Sequence, residues 1–198
     1  TFKIGNNILQ IVKEVKFLGI IFDCKLTWNK HIQYIHTRCT KVLNCMRVIS
    51  GTKWGANSHT LRNIYVALIR SKIDYGCQIY NTASYSTKKI LDSLQTQALR
   101  TCTGVINGAS LASLQAEMDD PPYEDRRKSL ITKAYLNIMS YDDLHPAKIS
   151  LQNDFDYQYY QNRIKPKQKP FYCVAQDVIQ TFNIDTKVIY KQSECPQP

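Results

Sequence analysis

The sequence lacks any apolar run that approaches the ~20 residues of a membrane-spanning helix. It also lacks an initiator methionine, and its first residues, Thr1 to Gly5, do not form the apolar core of a signal peptide. P-loops, dinucleotide-binding fingerprints and nucleophile elbows are missing as well. We therefore expect a piece of a longer protein that works away from the membrane and carries none of these common enzyme motifs.

Acidic residues are scarce in the first part of the chain. The 198 residues include 26 lysines and arginines against 16 aspartates and glutamates, a net charge of +10. Nine of the ten excess positive charges fall within residues 1–80, where only Glu14, Asp23 and Asp74 are acidic. This distribution is typical of a region that binds a polyanion such as nucleic acid, and a generically basic soluble surface is the alternative.

The seven cysteines follow no regular spacing, and their number is odd. This pattern favours free thiols in a reducing, intracellular compartment. His31, His36, Cys39 and Cys45 are an alternative zinc site, but their spacings differ from those of structural zinc sites. Cys39 also belongs to an apolar helical stripe, so we favour packing over metal binding.

The sequence changes from strand to helix between Val15 and Trp28. Phe17–Phe22 is aromatic and β-branched, interrupted only by Gly19, and predicts a short buried strand. A polar turn follows, after which Asn29 is the expected N-cap of a helix. Two short strands within residues 1–14 are expected to join this strand in a small antiparallel sheet.

Apolar residues at steps of three and four predict a series of amphipathic helices. These helices cover residues 29–50, 58–75, 84–103 and 110–118, and a last one ends near residue 140. Ser58 is the expected N-cap of the second helix, and Gly104 the expected C-cap of the third. Trp28 and Trp54 are interpreted as core anchors, with base stacking as the alternative.

The tail after residue 141 changes character. It contains an aromatic and acidic stretch at 154–160 without helical spacing, and a Pro/Lys linker at 165–170. Residues 171–184 and 187–190 are predicted to form short strands or a short helix.

An ordered series of phrases resembles the reverse transcriptases of non-LTR (LINE-like, jockey-type) retrotransposons. The first is Phe-Leu-Gly-Ile-Ile-Phe-Asp at 17–23, with Lys-Leu-Thr-Trp at 25–28 and His-Ile at 31–32. It is similar to the primer-grip segment that closes the palm of those enzymes. The later phrases, which resemble the thumb region, are Arg47–Ser50, Trp54–Ala56, Ile69–Gly76, Glu117 before Pro121-Pro122, and Arg126-Arg127.

This resemblance implies a mainly α-helical fold with a small N-terminal antiparallel β-sheet, a helical thumb bundle and an irregular C-terminal connection. The implied division is an end of the palm at 1–28, a thumb at 29–104, a helical connection at 105–140 and a tail at 141–198. The intact enzyme would copy RNA into DNA with two Mg2+ ions, in the cytoplasm and the nucleus. Its partners would be the RNA template, the RNA–DNA or DNA primer duplex and the rest of the palm, without a membrane.

The resemblance also assigns roles to individual residues. It assigns the primer grip to Phe17, Leu18 and Gly19, with Lys16 beside them, where a tight hairpin would aim the primer end. An ordinary buried strand is the alternative. The basic residues expected to contact duplex phosphates are Lys30, Arg38, Lys41, Arg47, Lys53 and Arg62.

The paired aspartates that hold metal ions in a polymerase palm do not precede Val15. Asp119-Asp120 and Asp142-Asp143 lie on the wrong side of the primer grip, so we interpret both pairs as structural. We therefore expect no catalytic residue and no metal site here, and no activity from this piece alone. The alternative function is a non-catalytic helical protein-interaction module or a decayed remnant of a mobile element.

Overall fold

The N-terminal strands form two separate antiparallel hairpins. The computed structural model describes residues 3–4, 7–8, 12–51, 54–105, 108–151 and 169–184. The strands are β1 (Lys3–Ile4), β2 (Asn7–Ile8), β3 (Glu14–Phe17) and β4 (Ile20–Asp23). β1 pairs with β2 and β3 pairs with β4, so the single small sheet expected from the sequence is wrong.

Helices make up most of the rest of the described chain. The elements are α1 (Asn29–Ile49), α2 (Ser58–Tyr65), a π-helical segment (Val66–Arg70), α3 (Ser71–Asp74), a short 3₁₀ turn (Tyr80–Thr82), α4 (Tyr85–Thr103), α5 (Leu111–Glu117), α6 (Tyr123–Met139), α7 (Pro146–Leu151) and α8 (Phe171–Thr181). The predicted class, mainly α with a small antiparallel β part at the N-terminus, is confirmed. Within the described ranges, no helix has the length and apolar character that crossing a membrane requires.

Several helix ends agree with the local sequence signals. The side chain of Ser84 accepts a hydrogen bond from the Thr87 amide at 3.2 Å, and Ser110 caps α5 in the same way. Gly104 ends α4 in the left-handed conformation, at φ 68°, as the C-cap prediction required.

Two predicted N-caps are wrong. Asn57, one residue before Ser58, accepts from the Thr60 amide at 2.8 Å and caps α2. α1 begins after Trp28, which adopts a left-handed conformation and gives no side-chain cap. Asn29 is already helical, and its side-chain oxygen accepts from the Thr87 hydroxyl at 2.6 Å instead, which ties α1 to α4.

The main core lies between α1, α4 and the run from α2 to α3. Its fully buried apolar side chains include Ile32, Leu43, Met46, Ile69, Ile73, Leu91, Leu94 and Leu99. These residues belong to the apolar stripes that predicted the three long helices. Burial of each such side chain contributes roughly 1.5–3 kcal/mol, which is why the stripes determine the packing.

A smaller cluster joins α6 to α8. It contains Ile131, Tyr135 and Ala175, with Phe171 and Val174 packed beside them. α8 decides between the alternatives for residues 171–184 in favour of a helix. The predictions for 154–160, 165–168 and 187–190 fall outside the described residues.

One buried carboxylate connects the loop before α6 to three other elements. Asp120 accepts hydrogen bonds from Tyr65 at 2.6 Å, Arg70 at 2.7 Å and Gln95 at 2.7 Å. Its charge is therefore used inside the fold, in agreement with the structural interpretation of Asp119-Asp120. Asp143 also has a structural partner, the ammonium of Lys148 at 2.7 Å.

Candidate nucleic-acid interface

The phrase that resembles a primer grip folds as a tight hairpin. β3 and β4 pair from Glu14 with Asp23 to Phe17 with Ile20, so only Leu18 and Gly19 remain in the turn. Both turn residues have positive φ, 45° and 83°, which is the geometry of a two-residue type I′ hairpin. Glycine at the second position satisfies that requirement without a steric penalty.

The hairpin tip is exposed, which corrects the prediction of one buried strand. Phe17 is 61% exposed and Leu18 72% exposed, whereas Ile20 is only 3% exposed. The run Phe17–Phe22 was expected to be one strand because it is apolar almost throughout. The two-residue turn instead divides it, so that apolar side chains at the tip face solvent.

The hairpin is held against the end of α3 by two contacts. The Tyr75 hydroxyl donates a hydrogen bond to the Leu18 carbonyl at 2.7 Å. Gly76, at φ 68°, lies so close to β4 that an added Cβ would stand 2.6 Å from Cδ1 of Ile20. A side chain at this position would force the Ile20 methyl group to move, so glycine at position 76 permits the close approach of β4 to the end of α3.

A cavity of about 240 Å³ lies between the hairpin, α1 and α3. We call it the hairpin cavity. It is lined by Gly19, His31, Tyr34, Ile35, Arg38, Ser71, Lys72 and Tyr75. Its two charged lining residues, Arg38 and Lys72, are both positive, and no carboxylate lines it among the described residues.

Two cationic side chains, Lys16 and Arg38, contact Tyr34 beside this cavity. The Lys16 ammonium donates to its hydroxyl at 3.2 Å and lies 4.7 Å from the ring centroid. The Arg38 guanidinium lies over the same ring at 5.4 Å. The hydrogen bond from Lys16, together with the charges of Arg38 and Lys16, lowers the pKa of Tyr34.

His31 forms the inner wall of the cavity. It is 2% exposed, its Nδ1 accepts from the Ile21 amide at 3.4 Å, and its ring meets Tyr80 edge to face. Burial lowers its pKa, which favours the neutral ring. Nε2 of His31 is buried without a hydrogen-bond partner among the described residues.

The basic residues predicted on α1 divide between two faces. Lys30, Tyr34, Arg38 and Lys41 fall within about 80° of arc at 100° per residue, whereas Arg47 lies about half a turn from Arg38. Lys30 forms an ion pair with Glu14 at 3.4 Å, so part of its charge is neutralised. Arg38 and Lys41 are exposed.

The remaining predicted contacts lie elsewhere. Arg47 is held by Asn44 at 3.1 Å and Gln97 at 2.9 Å, near the far end of α4. Arg62 donates to the carbonyl of Met118 and, at 3.0 Å, to that of Asp119, so its guanidinium stabilises the end of α5. Lys53 lies outside the described residues.

The two tryptophans have different roles. Trp28 is 4% exposed and donates to the Thr82 hydroxyl at 2.8 Å, which confirms its interpretation as an anchor. Trp54 is 71% exposed, so the anchor interpretation is wrong for that residue. A position at the junction of two elements predicted both anchors, but only the side chain of Trp28 is buried.

Sequence reasoning missed Tyr34, Lys72 and Tyr75. Tyr34 carried a signal, since it stands four residues from both Lys30 and Arg38 and therefore on their face. Lys72 and Tyr75 reach the cavity only because the π-helical segment and α3 bring them beside the hairpin. No local pattern predicts that arrangement.

No protein-family profile matches this chain, and no solved structure matches it. It is 33% identical over 90 residues to a probable RNA-directed DNA polymerase from transposon X-element of Drosophila melanogaster, covering 45% of this chain and 10% of that protein. It is 29% identical over 96 residues to one from transposon BS of the same species, covering 48% and 11%. An uncharacterized protein of Caenorhabditis elegans is 26% identical over 153 residues, 73% of each chain.

Over about half of its length, the chain is therefore similar to RNA-directed DNA polymerases. More particularly, the related polymerases are those of non-LTR retrotransposons, as the ordered phrases indicated, and that resemblance is confirmed. The chain spans between 10% and 25% of the length of these polymerase-related proteins.

Proposed function

We propose that this chain is the primer-grip and thumb part of a non-LTR retrotransposon reverse transcriptase, and that it binds and positions the primer–template duplex. The observation that carries the proposal is the hairpin with an exposed apolar tip beside a cavity whose charged residues are all positive. An exposed apolar tip is a recurrent sign of a binding site. A cluster of cations without carboxylates is a natural site for phosphate.

The two parts of this surface suit two parts of a nucleic acid. Phe17 and Leu18 would pack on sugars or bases at the primer end, where apolar contact is favourable. Lys16, Arg38 and Lys72 would contact phosphates, which fixes the register without reading sequence. Orientation of a reacting end in this way is a large part of many rate enhancements.

The face of α1 extends this surface away from the hairpin. Lys30 and Lys41 are separated by eleven residues, about 16 Å along the helix axis at 1.5 Å per residue. Successive phosphates of one strand advance by about 3.4 Å, so this face matches several of them. Arg47 and Arg62 are weaker candidates, because their guanidinium groups already donate hydrogen bonds to side-chain or backbone oxygens of the chain.

The intact polymerase would use Mg2+ held by palm carboxylates. The described residues do not fit that role, because no group of three His, Cys, Asp or Glu among them could hold a metal ion. Asp120 is occupied by Tyr65, Arg70 and Gln95. This chain would therefore position the duplex for chemistry performed by other residues.

The experiment is a salt titration of binding to a short RNA–DNA hybrid, with double-stranded DNA alongside. We expect affinity to fall steeply with salt and to favour the hybrid. Arg38→Glu with Lys72→Glu should reduce the salt slope by about two, because each lost phosphate contact contributes about one. Phe17→Ser with Leu18→Ser should weaken binding with little change in slope, since no charge is removed.

Two comparisons control this experiment. Lys133→Glu reverses the charge of an exposed residue on α6, away from α1 and α3. It should change the affinity and the salt slope much less than Arg38→Glu with Lys72→Glu does. Reversing Lys41 and Arg47 to Glu should weaken binding, with most of the effect from Lys41. Absence of binding at low salt would favour the protein-interaction alternative, and equal effects of all charge reversals would mean that only net charge matters.

A further inference from the structure

A second cavity lies on another side of the molecule, between α4, α6 and α8. Its volume is about 360 Å³, within the range of small-molecule sites. Its charged lining residues are Lys88, Asp92, Glu124, Arg127, Lys128 and Lys169. None of them lines the hairpin cavity or belongs to the basic residues that the sequence predicted as phosphate contacts.

Arg127 is the unusual member of this group. It is 7% exposed, and its Nη1 is buried without a hydrogen-bond partner among the described residues. The neighbouring Arg126 provides the contrast, since it makes hydrogen bonds of 2.8 and 3.0 Å to the Asp74 carboxylate. A buried guanidinium with an unsatisfied donor lowers the stability of the fold. The simplest explanation for such a residue is that a ligand supplies the acceptor.

The other charges of the cavity are mostly paired. Lys128 lies 3.1 Å from Glu124, and the Lys169 ammonium lies 2.6 Å from Asp177. Lys88 donates to the Asn81 carbonyl at 3.1 Å, a neutral acceptor. Arg127 and Lys88 therefore supply more positive charge than the remaining carboxylate, Asp92, can neutralise.

We propose that this cavity binds a phosphate group, with Arg127 and Lys88 as its principal ligands. A guanidinium presents paired N–H groups that match two phosphate oxygens, and a lysine adds a point charge. Because the cavity is larger than inorganic phosphate needs, it has room for a phosphate ester. The proposal does not depend on the function proposed for the hairpin cavity.

Asp92 is the lining group that would oppose an anion. Burial raises the pKa of Asp92, so it accepts a proton more readily than an ordinary aspartate. The charges of Arg127 and Lys88 oppose this shift, and the same two cations offset the negative charge of Asp92. Glu124 opposes the anion less, since Lys128 neutralises it.

The same phosphate chemistry has two sources, a free phosphate ester or the backbone of a nucleic acid. The first measurement is calorimetric titration of the chain with inorganic phosphate and with a deoxynucleoside monophosphate. The second adds saturating phosphate to the hybrid-binding assay at constant ionic strength. Competition that is lost in Arg127→Gln would identify the source as a polynucleotide backbone, and phosphate binding without such competition would identify a free ester.

The variants Arg127→Gln and Lys88→Gln test the ligands directly. Each should weaken phosphate binding by about tenfold or more, because a charge-assisted hydrogen bond is lost. Lys133→Gln removes one exposed charge from α6, the helix that carries Arg127, and should leave the affinity unchanged. Arg127→Gln should also keep or raise the thermal midpoint without phosphate, since it removes an unsatisfied buried charge.

Two results would overturn the proposal. One is the absence of any measurable binding of inorganic phosphate or monophosphate to the wild-type chain. The other is equal affinity in Lys88→Gln, Lys133→Gln and the wild type, which would assign the binding to general surface charge. Lys88→Gln keeps the test decisive even where Arg127→Gln alters the fold.

Discussion

The hairpin cavity and the surroundings of Asp120 both collect polar groups, but they use them differently. Around Asp120, the donors of Tyr65, Arg70 and Gln95 converge on one buried carboxylate. Around the hairpin cavity, Arg38 and Lys72 line a space that no carboxylate lines among the described residues, and Lys16 binds the hydroxyl of Tyr34 beside it. The donors around Asp120 are neutralised or satisfied by a buried carboxylate, whereas the two cations that line the hairpin cavity have no carboxylate beside them in its lining.

This difference teaches how to interpret a basic surface. A cation with an internal acceptor, such as Arg62 or Arg70, contributes to stability and is a poor candidate for binding. A cation whose neighbours are other cations and an aromatic ring does not stabilise the fold through such an acceptor. Charge counts alone cannot separate the two groups, whereas the distribution of carboxylates can.

The largest expected effect would come from the Asp120 side of the comparison. Asp120→Asn keeps the shape but leaves the partly buried Arg70 without its counter-charge, so we expect a loss of about 3–5 kcal/mol in unfolding free energy. Urea unfolding measures it. Asp119→Asn is the matched control, because the Asp119 side chain is fully exposed, and it should change stability by less than about 0.5 kcal/mol. Similar losses in the two variants would contradict the central role of Asp120.

An intermediate effect is expected where the hairpin meets α3. Gly76→Ala and Gly104→Ala both place alanine at φ 68°, but only the first meets an atom, Cδ1 of Ile20 at 2.6 Å. Both should lose about 1–2 kcal/mol through backbone strain, and Gly76→Ala about 1–3 kcal/mol more through overpacking. Thermal or urea unfolding gives the difference. Equal losses would show that the hairpin does not depend on this close contact.

The smallest expected effect concerns pH and the inner wall of the hairpin cavity. Burial lowers the pKa of His31 in the folded chain, below its ordinary value of 6.5. Above pH 6.5 the His31 ring is neutral in both the folded and the unfolded chain, so its burial costs no stability through loss of a proton. As pH falls below 6.5, the unfolded chain takes up the proton first, and stability is lost. Unfolding measured from pH 8 to 5 should show this loss.

The His31 effect can be isolated with two variants. His31→Phe keeps an aromatic ring against Tyr80 but cannot titrate, so its stability should vary less between pH 7 and 5. His36→Phe should retain the wild-type pH dependence. A wild-type curve that His31→Phe does not flatten would mean that other groups cause the loss.

The helical part of the fold was predictable because its signals are local. Apolar stripes and the C-cap at Gly104 act within a few residues, and the structure confirms them, whereas the predicted N-caps at Asn29 and Ser58 are each displaced by one residue. The exposed tip was missed because an apolar run hides a two-residue turn, and Gly19 alone does not distinguish a turn from a bulge. The Asp120 cluster was missed because its partners lie 25 to 55 residues away in sequence.

The bond between Tyr75 and Leu18 joins residues 57 positions apart. An isolated two-stranded hairpin forms within microseconds but is marginally stable in water. Its docking surface, which includes Tyr75 and Gly76, exists only after α3 has formed on the core. During synthesis, β3 and β4 therefore leave the ribosome long before the groups that orient them. The final direction of the hairpin therefore depends on contacts that can form only after residues 71–76 have been made and folded.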